Sequence, residues 1–100
     1  MGKHMIFMRS IISRTENLIT GDLDGETVLM RIESGKYFGM DKIGSRIWGL
    51  IESPVRIDDL CSRLLDEFDV DLATCERDVL RFLEKLADSS LIRVYHEPDA

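Results

Sequence analysis

Two extended runs stand out in the first half of the chain. In Thr27 to Ile32, Val28, Met30 and Ile32 alternate with residues that are polar except for Leu29, which predicts a central strand, and Lys36 to Met40 is short and aromatic. A period of two predicts β-strands, and the Glu33-Ser34-Gly35 sequence between them predicts a tight turn. Part of the segment from Ile11 to Asp22 is predicted as a preceding strand. Together these stretches indicate a three-stranded antiparallel sheet whose last strand is short and lies at an edge.

The second half of the chain has the 3.6-residue spacing of amphipathic helices. Three helices are predicted, over Lys42 to Glu52, over Ile57 to Phe68, and from the residue after Asp71 to about Asp88. Leu91 to Tyr95 then reads as a short C-terminal strand. The order of elements indicates an α+β domain in which the helices pack on one face of a small antiparallel sheet.

The predicted third strand carries a glycine, Gly39, which allows another backbone to approach closely. The apolar stripe of the third helix is wider than one core contact requires, so strand and helix together predict a groove in which an added peptide strand pairs with Gly35 to Gly39. Met40 and Trp48 are assigned to the core, whereas Tyr37 and Leu80 are left open between core and groove. The candidate peptide-binding residues are Gly35, Lys36, Tyr37, Phe38, Gly39, Glu76, Arg77, Leu80, Arg81, Leu83 and Glu84, with Lys85 as a further rim charge; the charged ones can equally form a plain solvated face.

Composition narrows the classes of partner. The chain has 100 residues, 44% hydrophobic and 32% charged, with a formal net charge of −6, which is typical of one small globular domain. The acidic balance argues against nucleic acid, because proteins that neutralise phosphates usually carry a basic face. No apolar run is long enough to span a bilayer, and no secretory signal is recognisable, so a cytoplasmic location is expected. Residues 1–4 look like vector sequence, leaving residues 5–100 as the domain.

The side chains that most catalytic and metal sites need are scarce. Cys61 and Cys75 fall on apolar helix stripes and the two histidines lie near the chain ends, so no zinc-ligand spacing is present and no metal or cofactor is expected. The hydroxyl of Ser10 has no evident histidine partner, since His96 is near the C-terminus, and a Ser-His nucleophile is not expected. Paired carboxylates read as helix-surface charge.

The segment from Gly25 to Ile51 resembles the PqqD-like family. The positions that match the family pattern, in order, are Leu29-Met30, Ile32, Ser34-Gly35, Tyr37-Phe38, Met40-Asp41, Gly44, Ile47 and Trp48. The likeness continues through the second and third helices and covers most of Leu18 to Val94. Two positions depart from the pattern: Arg56 stands where a Ser or Thr cap usually precedes the second helix, and Met30 replaces a Leu.

The resemblance implies a winged-helix-like domain that binds the leader of a ribosomally made precursor peptide, with the leader lying antiparallel beside the third strand. It implies no catalytic activity and a role in presenting the precursor to a separate leader protease and cyclase, as in lasso peptide biosynthesis. The alternatives are a peptide chaperone of pyrroloquinoline quinone synthesis and a winged-helix DNA-binding protein. The peptide product, its leader motif and the oligomeric state do not follow from the sequence.

Overall fold

The computed structural model describes residues 6–96, so the predicted vector residues Met1 to His4 lie outside the described part. The elements confirm the predicted order of strands, three helices and a C-terminal strand, in an α+β, winged-helix-like arrangement. Their bounds are β1 Ile11–Arg14, β2 Leu18–Leu23, β3 Glu26–Arg31, β4 Tyr37–Gly39, α1 Lys42–Leu50, β5 Val55–Arg56, α2 Ile57–Glu67, α3 Leu72–Asp88 and β6 Ile92–Tyr95.

Within residues 6–96 the strands form two three-stranded antiparallel sheets, where the sequence predicted one. The predicted sheet is β2-β3-β4, with β3 in the centre, and the second sheet is β5-β1-β6. Part of Ile11 to Asp22 was predicted as one strand, and the segment contains β1 and most of β2. Asn17, with φ of 64°, lies between them and redirects the chain, since Asn tolerates the left-handed region better than most residues.

Side-chain caps fix the starts of α1 and α3. The Asp41 carboxylate accepts a hydrogen bond from the Gly44 N–H at 2.8 Å, and the Asp71 carboxylate accepts one from the Thr74 N–H at 3.1 Å. These bonds satisfy N–H groups that have no partner inside the helix. Only Met40 and Asp41 separate β4 from α1, so the Asp41 cap starts α1 close to the end of β4.

The core lies between the two sheets and the three helices. Leu29 of the β2-β3-β4 sheet, Ile12 of the other sheet and Leu83 of α3 are all fully buried. The Arg31 guanidinium ties β3 to the end of α3 by donating to the carbonyls of Ser89 and Ser90 at 2.6 and 2.8 Å. These contacts hold the inner face of the β2-β3-β4 sheet against α3.

Trp48 is a core residue, as the sequence predicted, and it links α1 to β1. The Arg14 guanidinium carbon lies 4.6 Å from the centre of the indole ring, and the same guanidinium donates to the Trp48 carbonyl. Burial lowers the pKa of Arg14, although Glu52 nearby acts in the opposite direction. Within residues 6–96 the Trp48 Nε1–H has no hydrogen-bond partner.

Candidate functional site

Strand β4 is an edge strand, and its register shows which backbone groups are free to pair. The Met40 N–H donates to the Thr27 carbonyl and the Lys36 carbonyl accepts from the Arg31 N–H, both at 2.9 Å. In an antiparallel pair, successive residues direct their N–H and C=O groups alternately toward and away from the neighbouring strand. The N–H and C=O groups of Tyr37 and Gly39 therefore point away from β3, toward the open edge.

The side chains of β4 alternate between two faces of the sheet. Phe38 packs against the core and Met40 is buried, which confirms the core assignment of Met40. Tyr37 is 72% exposed and lies on the outer face with Gly39. The open question about Tyr37 is thereby answered: its ring belongs to neither the core nor the sheet face that meets α3.

An apolar cavity of about 260 Å³ adjoins the end of β4. Asp41, which follows β4 almost directly, stands at its margin, and α1, α2 and α3 supply most of the wall. Most of the wall is apolar, so the cavity suits an apolar side chain better than a charged one. The lining residues are Asp41, Ile43, Gly44, Ile47, Leu64, Phe68, Val70, Thr74, Cys75, Asp78, Val79 and Phe82.

The close approach of α1 to α3 at this cavity depends on Gly44. A Cβ atom built on Gly44 would lie 3.0 Å from the Phe82 ring, closer than carbon atoms normally approach. Gly44 therefore allows the Phe82 ring to lie against α1, where it forms part of the cavity wall. Gly44 matches the family pattern without a predicted role in binding, and Phe82 is not among the predicted binding residues.

The predicted binding residues of α3 lie in three different environments. Leu83 is fully buried and so offers no surface to a ligand, which corrects its assignment to the groove. Leu80 is half-buried against the core and lies two residues from Phe82, which at 100° per residue puts it about 160° around the helix. The remaining predicted residues are charged and exposed or half-buried: Glu76, Arg77, Arg81 and Glu84.

The cavity therefore opens on the flank of α3 that carries Asp78 and Phe82, rather than on the flank of Leu80. Glu76 and Glu84 are one turn on either side of Leu80 and share its flank. Arg77 lies 3.5 Å from Asp78 in an exposed ion pair, and Arg81 is exposed between the two flanks. The two flanks differ in their position around the helix axis relative to β4. The width of the apolar stripe does not indicate which flank borders the cavity.

Ser10 does have a histidine partner, contrary to the sequence-based expectation. Its Oγ lies 3.1 Å from His96 Nδ1 and accepts a hydrogen bond from the Phe7 N–H at 2.9 Å. The Phe7 and His96 rings pack at a centroid distance of 5.6 Å. Because Ser10 is 1% exposed, a substrate has no access to its oxygen, and the contacts join the two ends of the described chain.

The two cysteines are free and buried, in agreement with their predicted places on the helix stripes. Burial raises the pKa of the Cys61 thiol to about 12, and it also raises the pKa of Cys75, whose side chain lines the cavity. Both thiols are therefore protonated at neutral pH and react slowly. Within residues 6–96, no three His, Cys, Asp or Glu side chains are grouped to hold a metal ion.

The comparison with protein families identifies the chain. A family profile described as "Coenzyme PQQ synthesis protein D (PqqD)" matches residues 26–92, from the start of β3 to the start of β6. The chain belongs to the PqqD family. This confirms the resemblance found in the sequence, and the match includes β4, the cavity and all of α3.

Two solved structures share the PqqD-family fold of this chain. The structure of TbiB1 in complex with the TbiA(beta) leader peptide is 35% identical, has a TM-score of 0.77, and is matched over 85% of this chain and 99% of TbiB1. A lasso peptide synthetase B1 complexed with the leader peptide is 18% identical, has a TM-score of 0.68, and is matched over 82% of this chain and 96% of its own. The second likeness supports the fold alone. No curated protein sequence matches the chain, and no helix within residues 6–96 has the length and apolar character to cross a bilayer.

Proposed function

We propose that this PqqD-family protein binds the leader segment of a ribosomally synthesised precursor peptide by strand addition to β4, and presents the precursor to separate modifying enzymes in lasso peptide biosynthesis. The observation that carries the proposal is the open edge of β4 beside an apolar cavity. The 35% identity to TbiB1, whose structure contains a leader peptide, supports it.

Backbone pairing to the edge of β4 contributes affinity whatever the leader sequence is. The cavity contributes specificity, because it accepts a particular kind of leader side chain. A leader paired antiparallel to β4 runs from Gly39 toward Tyr37, so the residues that precede its paired segment pass Asp41 and the opening of the cavity. One apolar side chain buried there contributes about 1.5–3 kcal/mol. Backbone pairing to Tyr37 and Gly39 contributes about 0.5–1.5 kcal/mol for each hydrogen bond.

Charges near the groove tune the interaction rather than dominate it. Lys36 precedes β4 and is exposed, and Arg81 is exposed on α3. Exposed ion pairs contribute about 0–1 kcal/mol each, so Lys36, Arg77, Arg81, Glu76 and Glu84 remain predicted as residues that favour particular leader charges. Acidic residues interspersed along α3 also disfavour a phosphate-binding role for this helix.

The direct test is titration of a labelled synthetic leader, taken from the precursor gene beside this one, by fluorescence anisotropy. We expect a dissociation constant near micromolar or tighter, about −8 kcal/mol. A scrambled leader of the same composition is the control for charge alone. Equal binding of both peptides, or binding of neither, would contradict the proposal. Tight binding of duplex DNA at low salt would favour the winged-helix DNA-binding alternative.

The protein acts in this proposal as a binding partner and not as a catalyst. The Ser10–His96 pair is the nearest approach to a nucleophile and base, and its serine oxygen is buried. Purified protein incubated with the precursor alone is expected to leave the peptide intact by mass spectrometry. Cleavage that is lost on Ser10→Ala substitution would contradict this expectation.

Gly44→Ala is expected to weaken leader binding several-fold while the protein stays folded. The added Cβ forces the Phe82 ring to move, and this ring is part of the cavity wall. Replacing Gly by Ala stabilises the helix by about 1 kcal/mol. This gain offsets the strain of moving the Phe82 ring, so the free energy of unfolding is largely kept.

Gly49→Ala in the same helix is the matched control. A Cβ at Gly49 meets nothing within 4 Å, so this variant gains the same helix propensity without touching the cavity. We expect its leader affinity to equal that of the unsubstituted protein. If the two variants bind the leader equally well, the cavity does not hold part of the leader.

A further inference from the structure

The outer face of the β2-β3-β4 sheet is apolar although it faces away from the core. The strand register aligns Ile19 of β2, Met30 of β3 and Tyr37 of β4 in one row across the sheet. Ile19 is 51% exposed and Tyr37 72% exposed. Antiparallel sheets that face water on one side normally carry polar residues on that side. An exposed apolar row at this position therefore indicates a surface that contacts another molecule.

A shallow depression of about 310 Å³ lies beside the row. The next row of the outer face is Gly21, Val28 and Gly39, so two of its three positions lack a side chain. A Cβ on Gly39 would meet nothing within 4 Å, and one on Gly21 would meet only the Val28 carbonyl oxygen at 4.0 Å. Leu23, at the far margin of the depression, is 66% exposed. The outer face thus has an exposed apolar row next to a depression, and a side chain of a partner protein can pack into such a depression.

The margin of the outer face is acidic. Four exposed carboxylates lie on strand ends and turns around it, and within residues 6–96 no ion pair joins any of them to a cation: Glu16, Asp24, Glu26 and Glu33. Arg31 extends to the inner side of the sheet, where it bonds to the end of α3, so it does not neutralise this margin. A second copy of the chain would oppose like charges across such an interface, which disfavours self-association.

We propose that the outer face docks the modifying enzyme that receives the bound precursor, through an apolar surface on that enzyme bordered by cationic side chains. This inference rests on the proposed function. A leader strand added to β4 extends the same sheet, so its outward side chains continue the row that ends at Tyr37. The enzyme then contacts protein and leader together, and the complex binds it better than either component alone.

The first test is Gly21→Val, which adds a side chain to the outer face opposite Val28, on the strand farthest from β4. The space at Gly21 accepts a side chain, and a β-branched residue suits a strand, so the variant is expected to melt no lower than the unsubstituted protein. Its leader affinity is expected to be unchanged. Its stimulation of precursor processing by the purified protease and cyclase encoded beside this gene is expected to fall by about tenfold or more.

The second test separates apolar contact from charge. Ile19→Lys and Ile19→Glu both remove the apolar side chain, but Lys adds repulsion against a cationic margin, so processing is expected to fall further for Lys than for Glu. Phe7→Lys is the matched control, because Phe7 is 53% exposed and lies outside the outer face. Its processing rate and leader affinity are both expected to be unchanged.

The readouts distinguish this inference from the proposed function. If the unsubstituted protein does not bind the leader, the proposed function is wrong. Normal leader affinity combined with undiminished processing in Gly21→Val and both Ile19 variants overturns the docking inference alone. Concentration-dependent dimerisation in sedimentation velocity that Ile19→Lys abolishes also overturns it, because the outer face would then be an interface between two copies.

Discussion

Gly39→Pro is expected to weaken leader binding by about tenfold or more while leaving the protein folded. The Gly39 N–H points away from β3 and is one of the donors to which an added strand pairs, and proline lacks this donor. The ring has room in the unbound protein, because a Cβ at Gly39 meets nothing within 4 Å. Proline is tolerated at a strand edge where its nitrogen faces outward, so the β3–β4 pairing remains.

The expected loss combines two effects. The hydrogen bond itself contributes about 0.5–1.5 kcal/mol, and the leader carbonyl left without a donor costs about 1–3 kcal/mol more. A total of about 1.5–4.5 kcal/mol corresponds to roughly 10- to 2,000-fold in the dissociation constant. Fluorescence anisotropy with the labelled leader measures the change, and circular dichroism during thermal unfolding verifies that the variant is folded.

Thr20→Pro is the matched control at the opposite edge of the same sheet. The Ile32 N–H donates to the Asn17 carbonyl, so by the same alternation Thr20 directs its N–H away from β3, at the free edge of β2. This variant is expected to bind the leader normally. The reverse result, with binding lost in Thr20→Pro and retained in Gly39→Pro, would place the leader on β2.

The helices and the open edge were predictable because local signals determine them. Apolar spacing and the caps at Asp41 and Asp71 place α1 and α3 within about two residues of their observed ends, and the short aromatic strand with its glycine indicated β4. The break at Asn17 was not predictable, since it depends on β1 finding two partners, β5 and β6, that lie at least 40 positions later in the chain. Long-range pairing of this kind leaves no local pattern in the sequence.

The part of the candidate site formed by β4 was predictable from the sequence, whereas the part formed by α3 was not. The strand side follows from alternation within β4, which correctly put Met40 in the core. The helix side depends on which flank of α3 faces α1, and Gly44 decides this by admitting the Phe82 ring. A helix wheel gives the width of an apolar stripe but not its orientation, so Leu83 was assigned to the groove although it belongs to the core.

Leu83→Ala is expected to lower the free energy of unfolding by about 2–5 kcal/mol, because it removes a fully buried side chain and leaves a cavity. For a domain of this size each kcal/mol lowers the melting temperature by about 4–8 °C, so thermal unfolding is expected at least 8 °C lower. Leu80→Ala, at a half-buried position, is the control and should cost markedly less.

The same pair of variants tests the placement of the two leucines. At a temperature where Leu83→Ala is folded, its leader affinity is expected to match that of the unsubstituted protein, since the side chain reaches no ligand. A Leu83→Ala variant that melts normally but binds the leader poorly would contradict the buried position and restore Leu83 to the groove. Normal binding by Leu80→Ala would show instead that the flank of α3 opposite Phe82 takes no part in the contact.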